Sequence, residues 1–281
     1  MAAVDAGKPS VSLPPPGILD SFLSILFPLR CVHCGAGGAW LCPVCAGELL
    51  PVGPPACRRC GRPEAPRGCR PEAGRSRARV PEELRPGGSR SREPRNPAGR
   101  QPTGPCPECR GRRLPFESAR AAYRFEGSAR SLVHALKFGG QRRLAAYMAA
   151  ISGDFACLTA GGKEVTLTYV PLHRSKLTQR GYNQAECYAK ALSRRHGLPV
   201  RGLLVKLFPT PPQNQLGFDQ RARNLRQGFG LKKRARDHRG RIVLVDDVYT
   251  TGSTVAACAA VLKRELNVPV DVWTFARTVK R

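Results

Sequence analysis

The stretch Arg241-Ile242-Val243-Leu244-Val245-Asp246-Asp247-Val248-Tyr249-Thr250-Thr251-Gly252-Ser253-Thr254 decides the fold of this chain. Its run of apolar residues from Ile242 to Val245 suits a strand buried on both faces, the pattern of a parallel sheet. Two adjacent carboxylates, Asp246 and Asp247, stand where that strand is expected to end. The small polar run Thr250 to Thr254 follows, and Val255, Cys258, Val261 and Leu262 then recur at helical spacing through Glu265. Strand, small loop and helix together build a phosphate site at the carboxyl edge of an α/β sheet. Backbone N–H groups of residues 250–254 can converge on a phosphate, the hydroxyls add donors, and the helix N-terminus supplies partial positive charge. The loop lacks the Lys-Ser/Thr ending of a Walker A loop and is not the dinucleotide fingerprint. The acidic pair sets it apart. Carboxylates beside a phosphate cradle repel the phosphate unless they serve another part of the ligand, and a ribose with two hydroxyls, plus magnesium, removes that conflict. A plain buried strand and turn gives no reason to bury two acids.

A second pattern occupies the first part of the chain. Cys31-x-x-Cys34, Cys42-x-x-Cys45, Cys57-x-x-Cys60 and Cys106-x-x-Cys109 are four knuckles of metal-binding spacing. Two such knuckles complete one tetrahedral zinc site. Pairing by nearness gives one site from Cys31, Cys34, Cys42 and Cys45, and a second from Cys57, Cys60, Cys106 and Cys109, with Cys69 competing for the second. His33 lies inside the first knuckle as a bystander, since four cysteines already fill that site. With no ligand position open, two structural zinc ions are expected, and their binding supplies folding energy to a segment with little core. The chain reads as cytoplasmic, so disulfides are not expected.

The 281 residues suit one ordinary domain and a smaller one. The boundaries read from composition are a disordered start at 1–16, a double ribbon at 17–113 and an α/β domain at 114–281. Residues 61–105 hold almost no large apolar side chain and are expected to form a disordered insertion in the second ribbon. The formal net charge is +27, and residues 114–281 carry 29 Lys/Arg against 11 Asp/Glu. A surface of that sign attracts polyanions, nucleic acid first among them, although Arg-rich composition throughout the chain is an equally simple source. The apolar stretch Gly17 to Leu29 contains Asp20 and is too short to span a bilayer, so no membrane span is expected. Ile18 to Phe27 suits a short packed helix.

Ala119 to Phe125 has strand character, and Ala129 to Phe138 reads as a helix closed by Gly139-Gly140, with Lys137 near its end. Val165 to Val170 is a second strand. A basic loop with His173, Arg174, Lys176 and Arg180 follows it, and then a helix from Asn183 to His196. Strand, basic loop and helix again form the layout of an anion site. His173 reads as structural rather than as a general base. The segment from Pro211 to Phe229 is polar and basic, with Arg221, Arg223, Asn224 and Arg226, and Val270 to Ala276 supplies a last strand. Tyr182 and Phe218 are the aromatic residues best suited to stacking on bases.

Residues 242–254 closely resemble the phosphoribosyl-pyrophosphate (PRPP) motif of type I phosphoribosyltransferases. The resemblance implies an α/β fold with a parallel sheet flanked by helices, behind a small zinc-ribbon domain. It implies that Asp246 and Asp247 hold the ribose hydroxyls and act at the catalytic centre. Thr250, Thr251, Gly252, Ser253 and Thr254 would wrap the 5′-phosphate, while Arg174, Lys176 and Arg180 would grip the pyrophosphate, with magnesium accompanying PRPP. Added to this are Phe27-Pro28 before the cysteines, Leu136-Lys137-Phe138-x-Gly140, Val170-Pro171-Leu172-His173, Arg180-Gly181-Tyr182-Asn183-Gln184-Ala185, Thr210-Pro211-x-Gln213 and Arg221-x-x-Asn224. Together these resemble the ComF family (ComFC- and GntX-like proteins). Membership implies a role in competence, in handling single-stranded DNA during natural transformation beside other competence proteins. The alternatives are a phosphoribosyltransferase of another acceptor and a zinc-ribbon adaptor for a protein partner. Two features depart from the family: Tyr169-Val170-Pro171 replaces the usual Pro-Val-Pro, and the insertion at 61–105 stretches the second ribbon.

Overall fold

The apolar run at 242–245 belongs to a strand that continues through the acidic pair to Tyr249. A computed structural model describes residues 29–53, 56–63, 106–107, 109–158, 164–209 and 228–279. The start of the chain with its expected helix, Cys69, residues 64–105 of the insertion, and the segment holding Gln213, Phe218 and Arg221 lie outside the described residues. In chain order the elements are α1 (Pro43–Gly47), β1 (Ser118–Arg124), α2 (Gly127–Phe138), α3 (Leu144–Ile151), β2 (Val165–Tyr169), α4 (Arg174–Arg180) and α5 (Gln184–His196). They continue with β3 (Leu204–Lys206), β4 (Phe229–Leu231), β5 (Arg241–Tyr249), α6 (Ser253–Leu266) and β6 (Val270–Arg277).

Four strands form one sheet in the order β1-β6-β5-β2, every neighbouring pair parallel. Its central strands are apolar on both faces because both faces are covered. On one side α2, α3 and α5 bury Leu132, Leu136, Met148, Tyr188 and Leu192 against Val243, Val245, Trp273 and Phe275. On the other, α6 sets Val255, Cys258, Val261 and Leu262 against Ile242, Leu244, Val270 and Val272. Trp273 Nε1 donates to Tyr188 Oη at 2.8 Å, and Ser152 Oγ lies 2.6 Å from that hydroxyl, so this polar chain in the core is satisfied internally. At the amino end of the sheet the fully buried Asp271 of β6 accepts from Ser118 Oγ at 2.6 Å and Arg241 Nε at 2.5 Å, clamping β1 to β5.

The ribbon residues pack onto this sheet. The amide of Val52 donates to Ala122 O and that of Arg124 to Leu50 O, an antiparallel addition that covers the β1 edge. Cys31, Leu41, Cys45 and Leu49 join the core beside α2 and α3. Cys57, Cys60, Cys106 and Cys109 form a separate buried cluster with Leu114. The Cys57–Cys60 knuckle of that cluster is tied to β1, where Ala119 N donates to Arg59 O at 2.7 Å and Arg120 Nη1 to Arg58 O at 2.8 Å.

Three elements differ from the sequence reading. The carboxylates do not end β5: the strand runs to Tyr249, with Asp246 opposite Thr274 and Val248 opposite Ala276 of β6. Side chains there alternate across the sheet, so neighbouring acids can serve opposite faces. The expected basic loop is largely helix α4, capped by the His173 side chain, whose Nδ1 accepts from Ser175 N. Residues 204–206 and 229–231 pair as an antiparallel ribbon, too short to show a period in sequence. Among the described residues, no helix is long and apolar enough to cross a membrane.

Candidate functional site

At the carboxyl edge of the sheet, the acidic pair, the 250–254 loop and basic residues from two other elements come together. Asp246 and Asp247 are held on the body of β5, 8% and 3% exposed. Asp247 N donates to Asp246 Oδ1 at 2.9 Å, which fixes the first carboxylate against its own backbone. Burial above all, and then the charge of Asp247, push Asp246 well above the usual carboxylate range, while Lys137 pulls the other way. Cys258 of α6 is fully buried close by; burial first and Asp246 second raise its thiol strongly, so it stays protonated.

Lys137 is the partner of Asp247, its Nζ 2.5 Å from Oδ2. It is carried by the last turn of α2, where a cation is also favoured by the helix dipole. In sequence Lys137, beside Gly139-Gly140, reads as a helix-end cation that could meet a phosphate; the fold turns it onto the acidic pair. Lys206 of β3 is the residue that sequence reasoning missed. Burial and the neighbouring Lys176 lower its ammonium, whereas Cys258 and Asp246 raise it, so Lys206 shares the surroundings of Asp246 and Lys176. A single lysine on a three-residue strand leaves no periodic or motif signal.

The loop after β5 turns at Gly252, whose φ of 76° lies in the left-handed region. A Cβ there would also collide with the Tyr249 hydroxyl, so this position requires glycine twice over. Thr251 Oγ1 and Ser253 Oγ lie 2.8 Å apart on the exposed rim, and Ser253 opens α6. The Thr278 side chain donates to Thr250 O at 3.2 Å and its amide to Tyr249 O at 3.0 Å, tying the loop to the end of β6. The backbone of 250–254 therefore runs from a buried carboxylate pair into a helix N-terminus.

The basic residues expected at the other side of the site separate into two places. Lys176 lies near Lys206, as above. Arg180 turns instead to Gln184, donating to its Oε1 at 2.5 Å, and its guanidinium lies 5.1 Å from the Phe138 ring centroid. Arg174 is exposed and makes no side-chain contact with the acidic pair among the described residues. Tyr182 is 6% exposed and donates its hydroxyl to Leu136 O beneath the Arg142 guanidinium, so it is not available for stacking on a base. Phe138 is, at 72% exposed.

The two cysteine tetrads are Cys31, Cys34, Cys42 and Cys45, and Cys57, Cys60, Cys106 and Cys109, with the sulfurs of each within 4.8 Å of one another. Tetrahedral coordination at about 2.3 Å places sulfurs roughly 3.8 Å apart. The measured separations include 3.6 Å for Cys34–Cys42, 3.9 Å for Cys57–Cys109 and 3.4 Å for Cys60–Cys106. Both tetrads fit structural zinc. Burial would raise Cys31 and Cys57, but backbone amides, from Cys34, Cys42 and His33 for one and from Cys60, Cys106 and Arg59 for the other, bring each thiol down to about 6. Cys106 and Cys109, 49 residues beyond Cys57 at the nearest, close the second site within the described residues. His33 makes a different contact, its Nδ1 2.9 Å from Ser131 Oγ of α2.

Fold and site together define a zinc-ribbon protein whose ribbons are docked on a parallel α/β sheet. Residues 22–76 match the double zinc ribbon domain family. The chain is 30% identical over 188 residues to the DNA utilization protein YhgH of Salmonella typhi, an alignment covering 65% of this chain and 82% of that protein. It is 29% identical over 183 residues to the protein of the same name from Escherichia coli K12, covering 62% of this chain and 78% of that one. Competence protein F of Haemophilus influenzae is 35% identical over 111 residues, 38% of this chain and 48% of that protein. The chain belongs to the ComF family.

Proposed function

We propose that the carboxyl edge of this sheet binds PRPP with magnesium, and that the basic face beside it handles single-stranded DNA in competence or DNA utilization. The observation that carries the first half is the continuity of a buried, cation-compensated acidic pair with a left-handed glycine loop opening a helix. In this reading Asp246 and Asp247 accept from the ribose 2′- and 3′-hydroxyls. The amides and hydroxyls of Thr250 to Thr254 surround the 5′-phosphate. Asp246 and Asp247 are the carboxylates that would lie nearest a magnesium ion carried in with the ligand, which would supply positive charge to the pyrophosphate. Hydroxyls arriving at Asp247 replace Lys137, and the released ammonium, with Lys176 and Lys206, neutralises the pyrophosphate. In a transfer reaction the bond from the ribose anomeric carbon to pyrophosphate oxygen breaks, its electron pair leaves with pyrophosphate, and an acceptor nucleophile forms the new bond. The lysines would stabilise that departing charge, and the buried carboxylates the positive charge growing on the sugar.

The relatives' names speak of DNA utilization and competence. On this chain the supporting surface is Phe138, exposed beside His134 at 5.8 Å and Arg180, with Arg142, Arg143, Arg174 and Lys176 exposed on neighbouring elements. Segments 127–153 and 165–185 contain no Asp or Glu. An exposed aromatic ring among arginines stacks bases while the cations follow phosphates.

Phosphorus NMR of magnesium–PRPP tests the first half directly. Native protein broadens the PRPP resonances and the Asp246→Asn, Asp247→Asn double variant does not; resonances untouched by native protein refute the site. Protein-dependent appearance of pyrophosphate identifies turnover, and acceleration by single-stranded DNA joins the two halves. A binding constant for DNA that ignores salt removes the second half, since each phosphate contact contributes about −0.7 to the salt slope on single strands.

A further inference from the structure

Arg277 ends β6 and is 1% exposed. A buried guanidinium is costly unless its surroundings compensate it, and here they do so in two directions. Toward the ribbon, Nη1 donates to the carbonyl of Cys60, a member of the second tetrad. Toward the sheet, the guanidinium lies 4.9 Å from the ring centroid of Tyr249, its register partner on β5. Four thiolates around a divalent ion carry net negative charge, so this cation also faces the tetrad with the complementary sign. Tyr249 in turn is buried, with its hydroxyl against Gly252, the left-handed turn of the loop. An unbroken run of contacts thus links Cys60, Arg277, Tyr249 and Gly252.

We propose that Arg277 and Tyr249 are positioning residues that couple the conformation of the 250–254 loop to zinc occupancy of the second cysteine tetrad. Zinc holds the 57–60 knuckle, the knuckle places the Cys60 carbonyl, and Arg277 carries that placement through Tyr249 to the turn at Gly252. The first tetrad packs near α2 and α3, away from this run, and exerts no such control. The functional meaning of the coupling rests on the reading of 250–254 as a phosphate cradle; the coupling itself does not.

Hydrogen exchange of the peptide 249–256 tests it in the full chain, with and without a zinc chelator, while alkylation of Cys106 and Cys109 reports release from the second tetrad. In the wild type, release raises exchange at 249–256 at least tenfold, with the peptides of β6 and α5 unchanged. Arg277→Met starts with raised exchange and no longer responds to zinc. Tyr249→Phe also starts raised, with Cys106 and Cys109 still protected from alkylation, which separates the link from ribbon integrity. A wild-type loop indifferent to zinc, or variants as responsive as the wild type, overturns the proposal. Should Arg277→Met not fold, Tyr249→Phe decides alone. In a parallel arm, zinc release weakens PRPP binding at least tenfold; a wild-type protein that binds no PRPP refutes the cradle, and the exchange result still stands or falls separately.

Discussion

Lys137 and Asp247 offer the sharpest test of the site's energetics. The carboxylate side chain is 4% exposed and the lysine 24%, with 2.5 Å between the charged atoms. Lys137→Met keeps the aliphatic stem and removes the charge. Asp247 then remains buried next to Asp246 in the chain with its compensating cation lost. Breaking a buried pair costs about 3–5 kcal/mol, and the quarter exposure of Lys137 favours the lower end, about 3 kcal/mol. For a protein of this size that lowers the midpoint of thermal unfolding by roughly 6–12 °C. Asp247→Asn in the same background removes the orphaned charge, so the double variant recovers much of the loss. Urea unfolding of the two single variants and the double closes the cycle, with an expected coupling of about 1.5–3 kcal/mol. A Lys137→Met protein within 0.5 kcal/mol of wild type, or strictly additive variants, would refute the claim that the pair neutralises the acidic site.

Asp246→Asn should stabilise the ligand-free protein at neutral pH by about 1–2 kcal/mol, because it replaces a buried charge by a neutral isostere. The sign with pH follows from the raised folded-state value: an unfolded aspartate titrates near about 3.9, so wild-type stability declines as pH rises above that point toward the folded value. Thermal melts from pH 4 upward should show the variant's advantage growing with pH; an advantage largest in acid contradicts the assignment. Gly252→Ala should cost about 2 kcal/mol through the left-handed backbone and the Tyr249 hydroxyl, and a melt unchanged by the substitution would count against the turn geometry. Elemental analysis should find two zinc ions per chain, and chelation should release exchange protection at both Cys31–Leu49 and Cys57–Gly61. One ion per chain would mean that Cys106 and Cys109 do not close a second site.

What the sequence by itself determined is local. The apolar run at 242–245, the apolar residues at helical spacing after Val255 and the strand at Val270 required a buried parallel sheet with a helix behind it, because those periods admit few other solutions. The two-residue cysteine spacing likewise determined the metal-binding knuckles, since two thiolates at that spacing turn toward one ion. Asn183 announced the start of α5, and its side chain caps it. What only the tertiary structure decided involves partners distant in sequence. It drew Cys106 and Cys109 to Cys57 and Cys60, the pairing by nearness that left Cys69, outside the described residues, as a competitor in sequence. It carried β5 past the acidic pair, since pairing with β6 extends to Tyr249 and Arg277 whatever the local polarity. It brought Lys137 onto Asp247 across 110 residues of chain, and set Lys206 within electrostatic reach of Asp246 from a strand too short to announce itself. It buried Tyr182 and exposed Phe138, which composition alone does not distinguish. Local patterns register the backbone's preferences and the spacing of ligands; the charge balance of a buried site is a sum over groups that only the packed sheet assembles.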